Sequence, residues 1–405
     1  MRRYEHYKDS GIEWIGEIPK HWDKCRFKNF LQLKTHPSNN SNKVGLENIE
    51  SGTGKFLVKE NNFEGNGIGF QCNDILYGKL RPYLKKVWLA DTEGNAIGDF
   101  FVFSVKENAY PKFVKWLLLS DKFTNVVNGS TYGAKMPRVS SNFMLSLSYY
   151  IPPFSEQRFI ADYLDKRCGL IDGMIGNLQK KIELLKELKS SIISRVVTKG
   201  LDPHVKMRDS GIEWIGKIPE HWEKCRLKNL IQLKTLPSNN SNKIGLENIE
   251  SGTGKFLVKE NNFEGNGIGF QCNDILYGKL RPYLKKVWLA DTEGNAIGDF
   301  FVFSVKENAY PKFVKWLLLS DKFTNVVDGS TYGAKMPRVS FNFMISLYCY
   351  IPPLSEQKSI ADYLDDKCEK IDSVVTRSQR KIDLLKEYKT ALISEVVTGK
   401  RKVSA

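Results

Sequence analysis

The chain has 405 residues, 41% hydrophobic and 12% aromatic, which is enough to bury the cores of two globular units and excludes a disordered chain. Its net charge is +15 and its pI about 9.2; both halves are basic, so a folded surface, not one charged tail, points to a polyanionic partner, nucleic acid first. The seven cysteines are odd in number, scattered and never spaced as CxxC, which argues against a disulfide framework and against a zinc site.

The N-terminal "MRRYEHYKDSG" has no apolar core of the signal-peptide kind, and no uncharged stretch is long enough to span a bilayer. A cytoplasmic location is expected. Residues 20–150 read as mixed α and β with many turns. "GTGKFLVKE" predicts a strand after a Gly-rich turn, and "DILYGKLRPYLKKVWLA" two short strands around a Pro turn. "NAIGDFFVFSVK" has the aromatic and β-branched content of a buried strand. "PKFVKWLLLSDKFTNVV" predicts a helix started by Pro111, with Phe113, Val114, Trp116, Leu117, Leu118 and Phe123 in the core. A basic loop follows, "STYGAKMPRVS" (Ser130–Ser140), whose Gly133 and Pro137 mark a turn flanked by Lys135 and Arg138.

From Ser155 to about Val197 there is no proline, and apolar residues recur at alternating spacings of four and three: Leu164, Cys168, Ile171, Ile175, Leu178, Ile182, Leu185, then Ile192 and Val196. A mean spacing near 3.5 is a coiled-coil seam, which Lys189 interrupts. Ser155 is the expected N-cap, after the extended Pro-Pro pair. At 1.5 Å per residue the helix spans roughly 60 Å.

Everything then repeats at an offset of 200 residues. "DSGIEWIGEIPKHW" (Asp9–Trp22) returns as "DSGIEWIGKIPEHW" (Asp209–Trp222); residues 45–127 are identical to 245–327; "IPPFSEQRFIADYLD" returns as "IPPLSEQKSIADYLD". The second seam is Leu364, Cys368, Ile371, Val375, Ile382, Leu385, Leu392 and Val396, interrupted by Ser378 and Lys389. So long a period is not a solenoid but two copies of a domain followed by a helix. The expected fold class is α+β: two tandem mixed domains separated by two long helices that pair as an antiparallel coiled coil, with approximate two-fold symmetry. The expected boundaries are 1–150 and 201–350 for the globular copies, and 151–200 and 351–405 for the helical regions.

Three motifs tempt and are set aside. "IPPF" lacks the polar first residue with which an amino-methyltransferase motif holds its amine. "FEGNG" has no supporting acidic residue on a following strand, and "GTGK" lacks the spacing of a phosphate-binding loop. His21 and His221 sit beside Trp22 and Trp222, where a structural role is expected. No nucleophile–base set or carboxylate pair stands out, so the chain reads as a binder with no catalytic residue, cofactor or metal.

The stretch with most nucleic-acid character is "YGKLRPYLKK". On a strand, alternate residues share a face, so Lys79, Arg81, Tyr83 and Lys85 are expected to point one way, with Lys86 beside them. The loop residues Thr131, Tyr132, Lys135 and Arg138 form a second candidate, and Asn61 and Asn62 are candidate adenine readers. The second copy supplies Lys279, Arg281, Tyr283, Lys285, Lys286, Thr331, Tyr332, Lys335 and Arg338.

"DSGIEWIGEIPKHW", "DILYGKLRPYL", "STYGAKMPRVS" and "IPPLSEQ", in this order and twice, resemble the specificity subunit of Type I restriction-modification systems along the whole chain. The resemblance implies two target-recognition domains, each reading half of a bipartite double-stranded DNA site. It implies helices that fix the gap between half-sites and dock two methyltransferase subunits and, through these, the restriction-translocation subunits. Methylation, ATP hydrolysis and cleavage would then belong to the partners. Recognition domains in this family generally differ; here they are nearly the same, so the expected target is an interrupted palindrome. A half-length chain ending near Gly200 is expected to dimerise and still bind. The alternatives are a stand-alone DNA-binding protein of the same architecture and, less favoured, a self-contained methyltransferase.

Overall fold

The computed structural model describes residues 3–58, 63–258 and 263–403. The chain divides into two compact units, Met1–Gln179 together with Arg380–Ala405, and Lys180–Gln379. The first unit is therefore completed by a segment that lies about 200 residues further along the chain.

The first unit begins with β1 (Tyr7–Asp9), β2 (Glu17–Pro19), β3 (Asp23–Arg26), β4 (Leu31–Lys34), β5 (Pro37–Ser38) and β6 (Lys43–Val44). There follow β7 (Gly67–Phe70), β8 (Ile75–Gly78), β9 (Val87–Leu89), β10 (Gly94–Ala96) and β11 (Phe100–Val105). Helices α1 (Pro111–Leu119), α2 (Asp121–Gly129) and α3 (Ser141–Ser146), strand β12 (Ser148–Ile151) and the long helix α4 (Phe154–Lys199) complete the first copy. Two four-stranded sheets form, in the orders β5-β7-β10-β6 and β4-β11-β8-β9, and β12 pairs back on β3. Along β8 the side chains alternate: Ile75 and Tyr77 enter the main core with Phe27, Phe103, Phe113 and Phe123, while Leu76 enters a second core with Phe70, Trp88 and Val102. That two-sided burial is why "DILYG" is apolar without a polar face. Gly67 is required where β7 passes β10, because a Cβ there would meet the Ala96 carbonyl oxygen at 2.1 Å.

The described part of the predicted strand "GTGKFLVKE", residues 52–58, is not a strand: a turn with Gly52 and Gly54 at positive φ leads to a bridge between Ile49 and Phe56. The single helix predicted from Pro111 is two. Ser120 leaves helical geometry (φ −68°, ψ 144°) and its hydroxyl accepts the Phe123 N–H, ending α1 and capping α2, the role in which serine is more favourable than in a helix interior. The second copy repeats this architecture with α5 (Pro311–Leu319), α6 (Asp321–Asp328), α7 (Phe341–Ser346) and α8 (Leu354–Val397).

Helices α4 and α8 have 46 and 44 residues, about 65–70 Å at 1.5 Å per residue. Each starts one residue before the expected serine cap; the Pro153 carbonyl accepts the N–H groups of Glu156 and Gln157 at 2.9 and 3.0 Å instead. In the first unit Leu164, Cys168 and Ile171 of α4 bury against Leu392, Ile393, Val396 and Val397 of α8. Asp172 meets Lys389, while Glu156 and Phe159 share a cleft with Lys402 and Val403, so the helices run antiparallel. The second unit mirrors this: Ile193, Val196 and Val197 pack with Ile360, Leu364 and Cys368, and Lys189 meets Asp372. The seam of spacing 3.5 is thus the buried stripe in both units.

The motif "SEQ" ties helix to domain. Glu156 receives Tyr4 Oη–H at 2.5 Å, His21 Nε2 at 2.8 Å and Trp22 Nε1–H at 3.3 Å. Gln157, buried, accepts from the Tyr110 N–H at 2.7 Å and donates to the Pro152 carbonyl at 2.9 Å. His221 and Trp222 hold Glu356 in the same way, so both histidines serve as anchors. Among the described residues no helix is long and apolar enough to cross a membrane.

Candidate nucleic-acid interface

The two segments singled out in each copy lie side by side. Leu80 and Arg138 form an antiparallel bridge; the Arg81 N–H donates to the Pro137 carbonyl at 2.7 Å and the Val139 N–H to the Lys79 carbonyl at 3.1 Å. Within the loop, Tyr132 and Arg138 exchange backbone hydrogen bonds of 3.0 and 2.9 Å, and Gly133 takes φ 89° to close the turn. "YGKLRPYL" and "STYGAKMPRVS" are therefore one site, built in both copies: Leu280 bridges Arg338, and the Arg281 N–H donates to the Pro337 carbonyl at 2.7 Å.

The expected alternating strand face over residues 79–85 does not form. Strand β8 ends at Gly78; Arg81 and Lys85 adopt left-handed conformations (φ 50° and 48°) around a 3₁₀ turn, Pro82–Leu84. Pro82 has no N–H to give a ladder and its fixed φ suits a turn start, so the chain reverses. This separates the cations by role. Lys86 Nζ donates to the Leu46 and Ile49 carbonyls at 2.6 and 2.8 Å, and Lys85 pairs with Asp121, with burial holding its ammonium below the ordinary lysine pKa. Lys286 and Lys285 do the same with Leu246, Ile249 and Asp321. Arg138 forks onto Asp99 at 3.1 and 2.9 Å, and Lys79 stands 3.8 Å from the same carboxylate; Arg338, Lys279 and Asp299 repeat the cluster.

Arg81 and Lys135 are exposed, and among the described residues neither side chain has a hydrogen-bond or ion-pair partner; Arg281 and Lys335 are alike. Around them Tyr83 is 50% exposed, Tyr132 60% and Met136 47%. Thr131 is half-buried, its hydroxyl donating to the Asn128 carbonyl at 2.9 Å. Sequence reasoning did not find Asp99, which fixes the cations of both segments, nor exposed Met136. Asn61 and Asn62 lie outside the described residues. Chemically, the site offers two free cations and two aromatic faces on a backbone pinned by paired hydrogen bonds, suited to phosphate and base contacts.

Residues 219–380 match the family model of the Type I restriction modification DNA specificity domain. Its central part, residues 245–327, is the stretch repeated without change at 45–127. The chain is 24% identical to the Type I restriction enzyme MjaVIII specificity subunit of Methanocaldococcus jannaschii, over 86% of this chain and 81% of that protein. It is 21% identical to the EcoDI specificity subunit of Escherichia coli, over 87% and 86%. Among solved structures, a chain from a study of complex assembly and conformational transition of the type I R-M system superposes with a TM-score of 0.74, at 15% identity, covering 94% of this chain and 98% of that one. The HsdS subunit from Thermoanaerobacter tengcongensis gives 0.58 at 16% identity, covering 95% and 98%. These likenesses establish the fold.

Proposed function

We propose that the chain is a specificity subunit of a Type I restriction-modification system, a non-catalytic DNA-recognition member, and that it reads an interrupted palindromic DNA site. One observation carries the reading: the joined Lys79–Tyr83 and Thr131–Arg138 segments are built twice, from the same residues, on domains of nearly the same sequence. Two readers of one kind select two half-sites of one kind, and the spacer between them goes uncontacted.

In this reading residues 1–150 and 201–350 are the target-recognition domains, and 151–200 and 351–405 the helical regions that set the spacer. Arg81, Lys135, Tyr83, Tyr132 and Thr131, with Arg281, Lys335, Tyr283, Tyr332 and Thr331, make the DNA contacts. Lys79, Arg138, Lys279 and Arg338 line the site on their aspartates, while Lys85, Lys86, Lys285 and Lys286 support it from beneath. Double-stranded DNA, two methyltransferase subunits and, through them, restriction-translocation subunits are the partners, in the cytoplasm. The test is a map of adenine methylation in a genome carrying this chain with its partner subunits. The expected motif has two halves that are inverted copies around a fixed gap; halves that are not inverted copies overturn the proposal.

A further inference from the structure

The two copies differ at one buried point of chemical consequence. In the first, strands β3 and β12 place Cys25 opposite Tyr149. The Tyr149 ring stacks on Trp14 at 6.2 Å between centroids, and its hydroxyl donates to the Val397 carbonyl. In the second, the same register places Cys225, on Glu223–Arg226, directly opposite Cys349, on Tyr348–Ile351. The two sulfurs are 3.6 Å apart.

We propose that Cys225 and Cys349 are a reversible oxidation site, which closes to a disulfide that staples the entry strand of the second domain to the strand leading into α8. Geometry carries this. The Leu227 N–H donates to the carbonyl of opposite Leu347 at 2.9 Å, so the pair two residues away is also a hydrogen-bonded one. Opposed Cα atoms at such positions lie about 5.5 Å apart, the commonest separation across a disulfide. Where the first copy has a tyrosine ring, the second leaves a cavity of about 10 Å³ lined by Val197, Trp214, Trp222 and Cys349, so the buried sulfur has room to rotate. Cys225 is partly exposed and open to an oxidant; Cys349 is buried and able to resolve. The hydrogen bond between the thiols holds Cys225 below its ordinary pKa, and the same bond together with burial pushes Cys349 up. The difference in exposure assigns Cys225 as the attacking thiolate.

The oxidant is a hydroperoxide. The Cys225 thiolate attacks one peroxide oxygen, breaking the O–O bond to give a sulfenic acid and hydroxide. The Cys349 sulfur then attacks the Cys225 sulfur and expels its hydroxyl, which leaves as water with the Cys349 proton, while the proton that Cys225 released on ionising neutralises the hydroxide. Two thiols are oxidised by two electrons, and hydrogen peroxide is reduced to two waters. A dithiol reductant reverses the bond by exchange.

The test uses the full-length chain with exposed Cys72 and Cys272 replaced by serine, treated with hydrogen peroxide. The expected product is a monomer lighter by two hydrogens, with Cys225 and Cys349 in one cross-linked peptide. Dithiothreitol should reverse the change and an accompanying rise of several degrees in thermal midpoint, since the bond closes a loop across 124 residues. Cys349→Tyr, which installs the residue of the first copy and keeps a fold that copy already adopts, should abolish the mass change and the reversible rise; Cys225→Ser should do the same. Both cysteines still alkylatable after peroxide, or Cys225 passing on to sulfinic acid, would overturn the proposal.

Discussion

Lys389 Nζ lies 2.7 Å from Asp172 Oδ1, across the antiparallel helices of the first unit, and Lys189 meets Asp372 at the same distance in the second. The lysines that break the apolar seam are thus its partnered positions. A third group joins each pair: the turn residue Lys55 lies 3.3 Å from Asp172, and Lys255 lies 2.8 Å from Asp372. One aspartate therefore ties helix to helix and helix to globular domain. A polar pair at one seam position specifies register, because a slip of either helix leaves both charges unpaired in an apolar stripe.

Removing one partner is expected to cost more than removing both. Asp372→Asn leaves Lys189 nearly buried beside a neutral amide and should lower stability by about 2 kcal/mol. The double replacement Asp372→Leu with Lys189→Met should recover much of that loss. Denaturant unfolding of the three chains checks the order; a single mutant as stable as the parent contradicts it.

Acid should act on the same place. Burial pushes the Asp372 carboxyl upward, but its hydrogen bonds and charge pairing with Lys189 and Lys255 outweigh this and hold it below the ordinary aspartate value of 3.8. In the window between its folded and unfolded pKa values the unfolded chain binds more protons. The contribution is therefore complete above 3.8 and is lost as pH falls through the lowered value. Thermal midpoints measured down through this range should fall more steeply for the parent than for Asp372→Asn.

At the interface, free and committed cations should separate by readout. Arg81→Ala with Arg281→Ala removes one proposed contact from each proposed half-site. If both are phosphate contacts, the slope of log affinity against log salt should shrink by roughly 2 without a change in the sequence read. If they meet base edges, discrimination at one position of each half-site should relax instead. Lys86→Ala with Lys286→Ala should lower the thermal midpoint and leave the salt slope unchanged. Titration of duplex DNA at several salt concentrations, beside thermal unfolding, distinguishes these.

A chain of residues 1–205 carries one globular domain and one long helix, but not the residue 380–403 segment that covers Leu164, Cys168 and Ile171. Its own residues 180–203 are the counterpart of that segment, and a second copy can supply them. The expected species is a dimer by sedimentation; a soluble monomer at high concentration contradicts this.

Periodicity made the long helices, their seam and their antiparallel pairing legible, because a helix of that length with one apolar stripe has few ways to bury it. The duplication was legible from identity alone. What escaped the sequence was pairing at a distance. Lys85 and Lys86 look like Lys79 and Arg81 in a basic run, yet their partners, Asp121 and the carbonyls of Leu46 and Ile49, lie 36 to 40 residues away. Asp99 reads as a flank of a buried strand, and nothing local marks it as the fork for Arg138. The strand face over residues 79–85 failed because alternation was applied across a proline.

The division of the chain also bears on its synthesis. Residues 180–379 are contiguous, so that unit has all its parts once they have left the ribosome. The other unit has its first 179 residues early and waits for residues 380–403; at typical elongation rates of 5–20 residues per second the delay is roughly 10–40 s. During that interval the unmatched stripe of Ile160, Leu164, Cys168 and Ile171 is open to premature association, with a neighbouring nascent chain or with a chaperone. The domain translated first is the one that matures last.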